Sequence, residues 1–114
     1  MTVTEIEVQV EDADAAVRFY TAIFAGVESG RECLCDGRLL HADIEIGDYL
    51  LSVGTPWSPA GPAGRGHSEV RLPGDELERV LRRFAEAGAQ LERIDGGAEV
   101  GDIFGHRWRI VRAG

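Results

Sequence analysis

The sequence predicts an α+β fold built from two repeated βαβββ modules in a chain of 114 residues. Three observations predict it. Thr4 to Val10 alternate, with Ile6, Val8 and Val10 on one side and Glu5, Glu7 and Gln9 on the other. His67 to Leu72 alternate in the same way. The helical faces that follow also correspond, Ala16, Phe19 and Ile23 matching Leu77, Val80 and Phe84 at an offset of 61 residues, while Glu5 and His67 stand 62 apart. Between the two patterns, three of the four prolines and four glycines crowd into residues 54–66, which read as a linker. One such unit is too small to close a core, so the expectation is one domain, 1–114, of two modules (about 1–54 and 67–114) joined by 55–66.

Each element has a local reason. Asp12 offers an N-cap to a helix bearing Ala16, Phe19, Tyr20 and Ile23, and Gly26 is expected to stop it. Phe19 and Tyr20 are expected to be core, Tyr20 with its hydroxyl in water. Strands are expected over Val27 to Cys35, Leu39 to Ile46 and Tyr49 to Val53. The middle one sets Ala42, Ile44 and Ile46 against His41, Asp43 and Glu45. Pro73 and Asp75 open a second helix with Leu77, Val80, Leu81 and Phe84, closed near Gly88. Leu91 to Ile94, Ala98 to Asp102 and Arg107 to Arg112 supply the last strands, with Trp108 in the core and His106 as a turn residue.

Composition removes several function classes. Twelve arginines and no lysine face twenty acids, a net charge of −8 that phosphate backbones repel, so nucleic acid is not an expected partner. The acidity is local. Residues up to Trp57 hold eleven acids and three arginines, and the remainder holds nine of each. Such a half either attracts a cationic ligand or only keeps the surface soluble. No apolar run approaches the ~18 residues of a membrane span and no secretory leader is visible, so no membrane partner and a cytoplasmic location are expected. Cys33 and Cys35 are read as reduced, half-buried residues: two cysteines make no framework, and a C-x-C pair without further ligands is a poor zinc site.

Over its whole length the chain resembles the vicinal oxygen chelate superfamily of glyoxalases, extradiol dioxygenases and bleomycin-resistance proteins. The residues that carry this are Val10-Glu11-Asp12 followed by Phe19-Tyr20 and Gly26, then His41-Ala42-Asp43-Ile44-Glu45-Ile46-Gly47-Asp48, then Asp102-Ile103-Phe104-Gly105-His106-Arg107-Trp108. The last two look most like the PhnB-like branch, with Ile103 where that branch has proline. The resemblance implies half-barrel sheets around a central cavity, helices outside, and a homodimer. It also implies that a metal, when present, is held by the positions of Glu5, Ser52, His67 and Arg109.

Those four residues are a poor metal shell. Glu5 and His67 can donate, serine is a weak neutral ligand, and a guanidinium has no lone pair to give. A guanidinium ~4 Å from a dication is repelled by several kcal/mol at an intermediate dielectric. The expectation is that Arg109 takes the cation's place and neutralises Glu5, with no metal and no other cofactor. By strand parity the inner face presents Glu5, Glu7, Gln9, His67, Glu69, Arg71, Arg107 and Arg109. It forms either a salt-bridged network or a wet polar pocket.

Candidate ligand-binding residues are therefore Glu5, Glu7, Ser52, His67, Glu69 and Arg109, with Trp57 in the linker as an aromatic for stacking on a planar ring. Ser52 and Ser68 show no His–Asp partnership at a defined spacing, and no catalytic set is named. The first functional reading is a metal-independent protein that sequesters a planar or cationic small molecule such as an antibiotic. The second is a metal-dependent glyoxalase- or dioxygenase-type enzyme using Glu5, His67 and His41. The third is a non-catalytic PhnB-like protein whose cavity is filled by charge pairs.

Overall fold

A computed structural model describes residues 4–55 and 67–113. The elements run β1 (Thr4–Gln9), α1 (Ala13–Phe24), β2 (Val27–Cys33), β3 (Leu39–Ile46), β4 (Tyr49–Gly54), β5 (His67–Leu72), α2 (Gly74–Glu86), β6 (Gln90–Ile94), β7 (Gly97–Gly101) and β8 (Arg107–Arg112). The chain divides into two compact units, Met1–Gly64 and Arg65–Gly114. Their topologies are identical. The first sheet has the order β1-β4-β3-β2 and the second β5-β8-β7-β6, each with its first strand parallel to its last. The duplication seen in the hydrophobic pattern is thus a duplication of fold. Neither helix, at 12 and 13 residues, is long and apolar enough to cross a membrane, among the described residues.

Within each unit the helix covers the apolar face of its own sheet. In the first, Ile6, Val8, Ala42, Ile44, Leu51 and Val53 are buried beneath Ala16, Val17, Tyr20 and Phe24. In the second, Val70, Leu72, Ala98, Val100, Trp108 and Ile110 are buried with Leu77, Val80, Leu81 and Phe84. Because strand side chains alternate, this leaves the polar positions on the opposite face. Tyr20 is wholly buried, so its hydroxyl is not in water, and Phe19 is half-buried beside it, edge to face.

Several local expectations are corrected. The Asp12 carboxylate does cap α1, accepting from the Ala15 amide at 3.1 Å. The helix ends, however, on Ala25 in the left-handed region (φ 52°, ψ 42°), not on Gly26. A Cβ on Gly26 would lie 2.6 Å from Ile44 Cγ2 and 3.0 Å from the Glu45 carbonyl oxygen. Gly26 is there to let the chain pass against β3, and Ala25 bears the roughly 1 kcal/mol cost of the turn. The second strand stops at Cys33, and Cys35 lies in the turn after it; both thiols are exposed rather than half-buried. The β4, β6 and β7 bounds differ from the expected ones by a residue, the usual uncertainty of strand ends.

Candidate ligand-binding faces

Register assembles the polar face of each unit. In the first, Glu7 stands opposite Ser52, and Ser52 opposite Asp43, so the three form a row across β1, β4 and β3. Glu5, Leu50 and Glu45 make the neighbouring row, and Gln9, Gly54, His41 and Glu32 the next. Ser52 Oγ donates to Asp43 Oδ1 at 2.7 Å, and His41 Nε2 lies 3.3 Å from the same oxygen. Five carboxylates, Glu5, Glu7, Glu32, Asp43 and Glu45, therefore share a face on which register places no arginine. Among the described residues of the first unit, no arginine pairs with any of these four glutamates.

The second unit has the same layout with different chemistry. Glu69, Arg109, Glu99 and Glu92 form one row, and His67, Arg107, Gly101 and Gln90 the next. Arg109 Nε is 3.5 Å from Glu69 Oε1 and its NH1 is 3.9 Å from Glu99 Oε1; Arg71 NH2 reaches Glu69 Oε2 at 3.5 Å. These side chains are a third or more exposed, so each pair contributes little to stability. Their consequence is electrostatic: the cations neutralise the acids around them. The second face carries a charge network, one of the two alternatives drawn from the sequence, whereas the first carries acids with no arginine in register. Ser52 and Arg109 hold equivalent places, opposite the second inner residue of their parallel strands.

Of the sequence candidates, Glu7 and Ser52 are brought together on one face and Glu69 and Arg109 on the other. Glu5 and His67 lie exposed at the starts of β1 and β5. Trp57 lies outside the described residues. Asp43 and Glu99 are the partners that sequence reasoning did not connect to Ser52 and Arg109. Parity marked Asp43 as a face residue, but only register shows what each one meets.

His106 has a larger role than its position announces. It does lie in the β7–β8 turn, but it is 2% exposed, and its Nε2 lies 2.9 Å from Ser68 Oγ. Ser68 therefore has a histidine partner after all, 38 residues away in sequence. The His106 Nδ1 is buried without a hydrogen-bond partner among the described residues. Burial pushes the imidazole below its ordinary pKa; Asp102 partly opposes this, and His67 adds to it. The folded state thus holds a neutral ring that the unfolded chain protonates more readily. Stability is full above pH ~6.5 and declines as pH falls below it, until the folded ring itself protonates, with a slope of at most about 1.4 kcal/mol per pH unit. Urea unfolding of the wild type and His106→Gln across this window checks it: the variant is expected to lose part of the slope. An equal slope in both contradicts the assignment.

The implied metal set does not fit. Arg109 has no lone pair and is engaged by two carboxylates, and the neutral Ser52 hydroxyl is donated to Asp43. Among the described residues, no three His, Cys, Asp or Glu side chains converge as a metal site. A cavity of about 570 Å³ in the first unit lies away from the acidic face, between the start of α1 (Glu11, Asp14), the β2–β3 hairpin (Arg31, Arg38) and Thr55.

Comparison with known proteins agrees with this architecture. No family model matches the chain. A protein of Mycobacterium bovis described as uncharacterized protein Mb0911c is 30% identical over 116 residues, covering 89% of this chain and 76% of its own length. Among solved structures, TioX from Micromonospora sp. ML1 superposes with a TM-score of 0.76 at 22% identity, covering 98% of each chain. TnmS3, an antibiotic binding protein from Streptomyces sp. CB03234, gives 0.71 at 20% identity, with 100% of this chain and 97% of that one covered. A lactoylglutathione lyase from Agrobacterium tumefaciens gives 0.70 at 19%, covering 98% and 93%. The fold is the glyoxalase-like vicinal oxygen chelate fold, and it is shared by binding proteins and enzymes.

Proposed function

For a chain that belongs to the family of the mycobacterial protein Mb0911c, we propose metal-independent binding of a cationic, planar small molecule, of the antibiotic class. One observation carries the reading: five carboxylates share the open face of the first sheet with no arginine among them. A positive charge placed beside several fixed negative ones is attracted to them, whereas an anion would be repelled. The unfit donor set speaks against the metal-dependent reading, and the antibiotic-binding structural neighbour TnmS3 supports sequestration.

In this proposal Glu5 and Glu7 supply charge, and Ser52, held by Asp43, supplies a fixed hydroxyl. Trp57 stacks on the planar ring. His67, Glu69 and Arg109 are the ligand-binding candidates on the polar face of the second unit. The PhnB-like branch, a homodimer and a cytoplasmic location belong to the same proposal.

Isothermal titration against a panel of planar cationic antibiotics and their uncharged analogues tests it. Micromolar binding of a cation, weakened about tenfold or more in the Glu5→Gln/Glu7→Gln/Glu45→Gln variant and by added salt, is the expected result. Equal binding of charged and neutral analogues, or affinity that requires added zinc, nickel or manganese, overturns it.

A further inference from the structure

We propose that the cavity between the start of α1 and the β2–β3 hairpin is a second binding site, for the zwitterionic head of a free α-amino acid. The acidic sheet face, to which ligand binding is assigned above, has no part in it. At about 570 Å³ the cavity has room for such a molecule with its side chain. Thr55 is the first sign of a ligand. It forms part of the wall and is 2% exposed, and its amide is fixed on the Leu40 carbonyl oxygen at 3.1 Å. Its Oγ1 is buried with no hydrogen-bond partner among the described residues. A hydroxyl buried without a partner costs stability, so threonine in this place suits a ligand contact better than a structural one.

The start of α1 supplies the second sign. Of its first amides, that of Ala15 is taken by Asp12 Oδ1 and that of Ala16 by the Asp12 carbonyl oxygen, each at 3.1 Å. Those of Ala13 and Asp14, both residues of the cavity wall, have no acceptor within the helix. Two open amides at the positive end of a helix dipole, with a hydroxyl in the same wall, suit a carboxylate. The charges of the wall decide what else the ligand carries. Asp14 is paired with Arg18 at 2.7 Å and Arg31 at 3.6 Å, and Asp36 with Arg38 at 2.7 Å, so these acids are neutralised where they stand. Glu11 also lines the cavity, and no arginine of the first unit's described residues pairs with it. It stands two residues before Ala13, and successive Cα atoms are only about 3.8 Å apart, so one small molecule can reach both. An anion alone leaves Glu11 unmatched, and a cation alone leaves the amides unmatched. An ammonium and a carboxylate on one carbon match both. A bare metal ion is not a fit, since among the described residues no three His, Cys, Asp or Glu side chains converge.

Isothermal titration of the full chain with the standard L-amino acids, and then with the N-acetyl and carboxamide forms of each binder, tests this. At least one amino acid is expected to bind with a Kd below about 1 mM, and blocking either charge is expected to weaken it about tenfold or more. Thr55→Val keeps the shape and removes the unpaired hydroxyl. It is expected to weaken binding about fivefold, while the unliganded variant melts at or above the wild-type temperature. Glu11→Gln is expected to weaken the free amino acid about fivefold or more and to leave its N-acetyl form unchanged. No binder in the panel, blocked forms that bind as well as the free amino acid, or unchanged affinity in Thr55→Val overturns the proposal. So does a lower melting temperature of Thr55→Val, which would give the hydroxyl a structural role. The Glu5→Gln/Glu7→Gln/Glu45→Gln variant is expected to keep the wild-type affinity for the amino acid. Loss of that affinity in this variant would put the amino acid on the acidic face and overturn the second site.

Discussion

Gly97→Ala is expected to destabilise the protein by about 4 kcal/mol or more, enough to lower the melting temperature by roughly 20 °C. Gly97 opens β7 opposite Val111 of β8. A Cβ there would strike the Ile110 carbonyl oxygen and come within 2.9 Å of the Ile110 carbonyl carbon and of Val111 Cα. All three are backbone atoms of the central strand, so no rotamer change relieves the overlap; β7 must part from β8. That separation exposes the faces of Ala98 and Ile110, both wholly buried. Gly101→Ala, at the other end of the same strand, meets nothing within 4 Å and is the control, with an expected change below about 1 kcal/mol. Thermal unfolding followed by circular dichroism decides between them. Similar melting temperatures for the two variants would mean that the strands tolerate a wider separation than this register allows.

Asp102→Ala comes next in size, at about 3–5 kcal/mol. The Asp102 carboxylate, 8% exposed, organises the β7–β8 turn from within. Its Oδ1 accepts from the amides of Phe104 at 2.9 Å and His106 at 3.0 Å, and its Oδ2 accepts from the Trp108 indole Nε1 at 2.9 Å. Alanine leaves these donors without their acceptor in a place that water reaches poorly. Trp108, 1% exposed and packed against Phe84 and His106, has little freedom to turn its N–H elsewhere. Asp102→Asn keeps the shape and one acceptor oxygen but turns an amide N–H toward a donor, so its cost is expected to be smaller, about 1–3 kcal/mol. Urea denaturation gives both values. Equal stability of Asp102→Ala and wild type would remove the carboxylate from any structural role and reopen a functional one.

These two sites mark the difference between what a residue's type announces and what its neighbours impose. The stretch Asp102 to Trp108 was conspicuous in the sequence as a motif, and its turn character was readable from Gly105. That its aspartate accepts from an indole, and that its histidine reaches Ser68, depends on β8 crossing between β5 and β7. Gly97 carried no signal beyond its position just before an expected strand. Its necessity appears only once the Ile110 carbonyl is seen beside it.

The same division runs through the candidate site. The alternation of Ile6 and Val8 with Glu5 and Glu7, and of Val70 and Leu72 with His67 and Glu69, assigned each side chain to a face without knowledge of any partner. It succeeded because the pleat forces successive Cβ atoms to opposite sides, a property of each strand by itself. The repeat of that pattern was sufficient for the duplicated fold, since like patterns bury like faces. Whether an acid on the polar face is neutralised was not legible, because it depends on which residues lie across two or three strands far apart in the chain. Glu69 meets Arg109, whereas Glu7 meets Ser52 and, beyond it, Asp43. Local periodicity determined the faces; long-range register alone decided their charge, since an ion pair is a matter of a few ångströms and sequence order carries no distances.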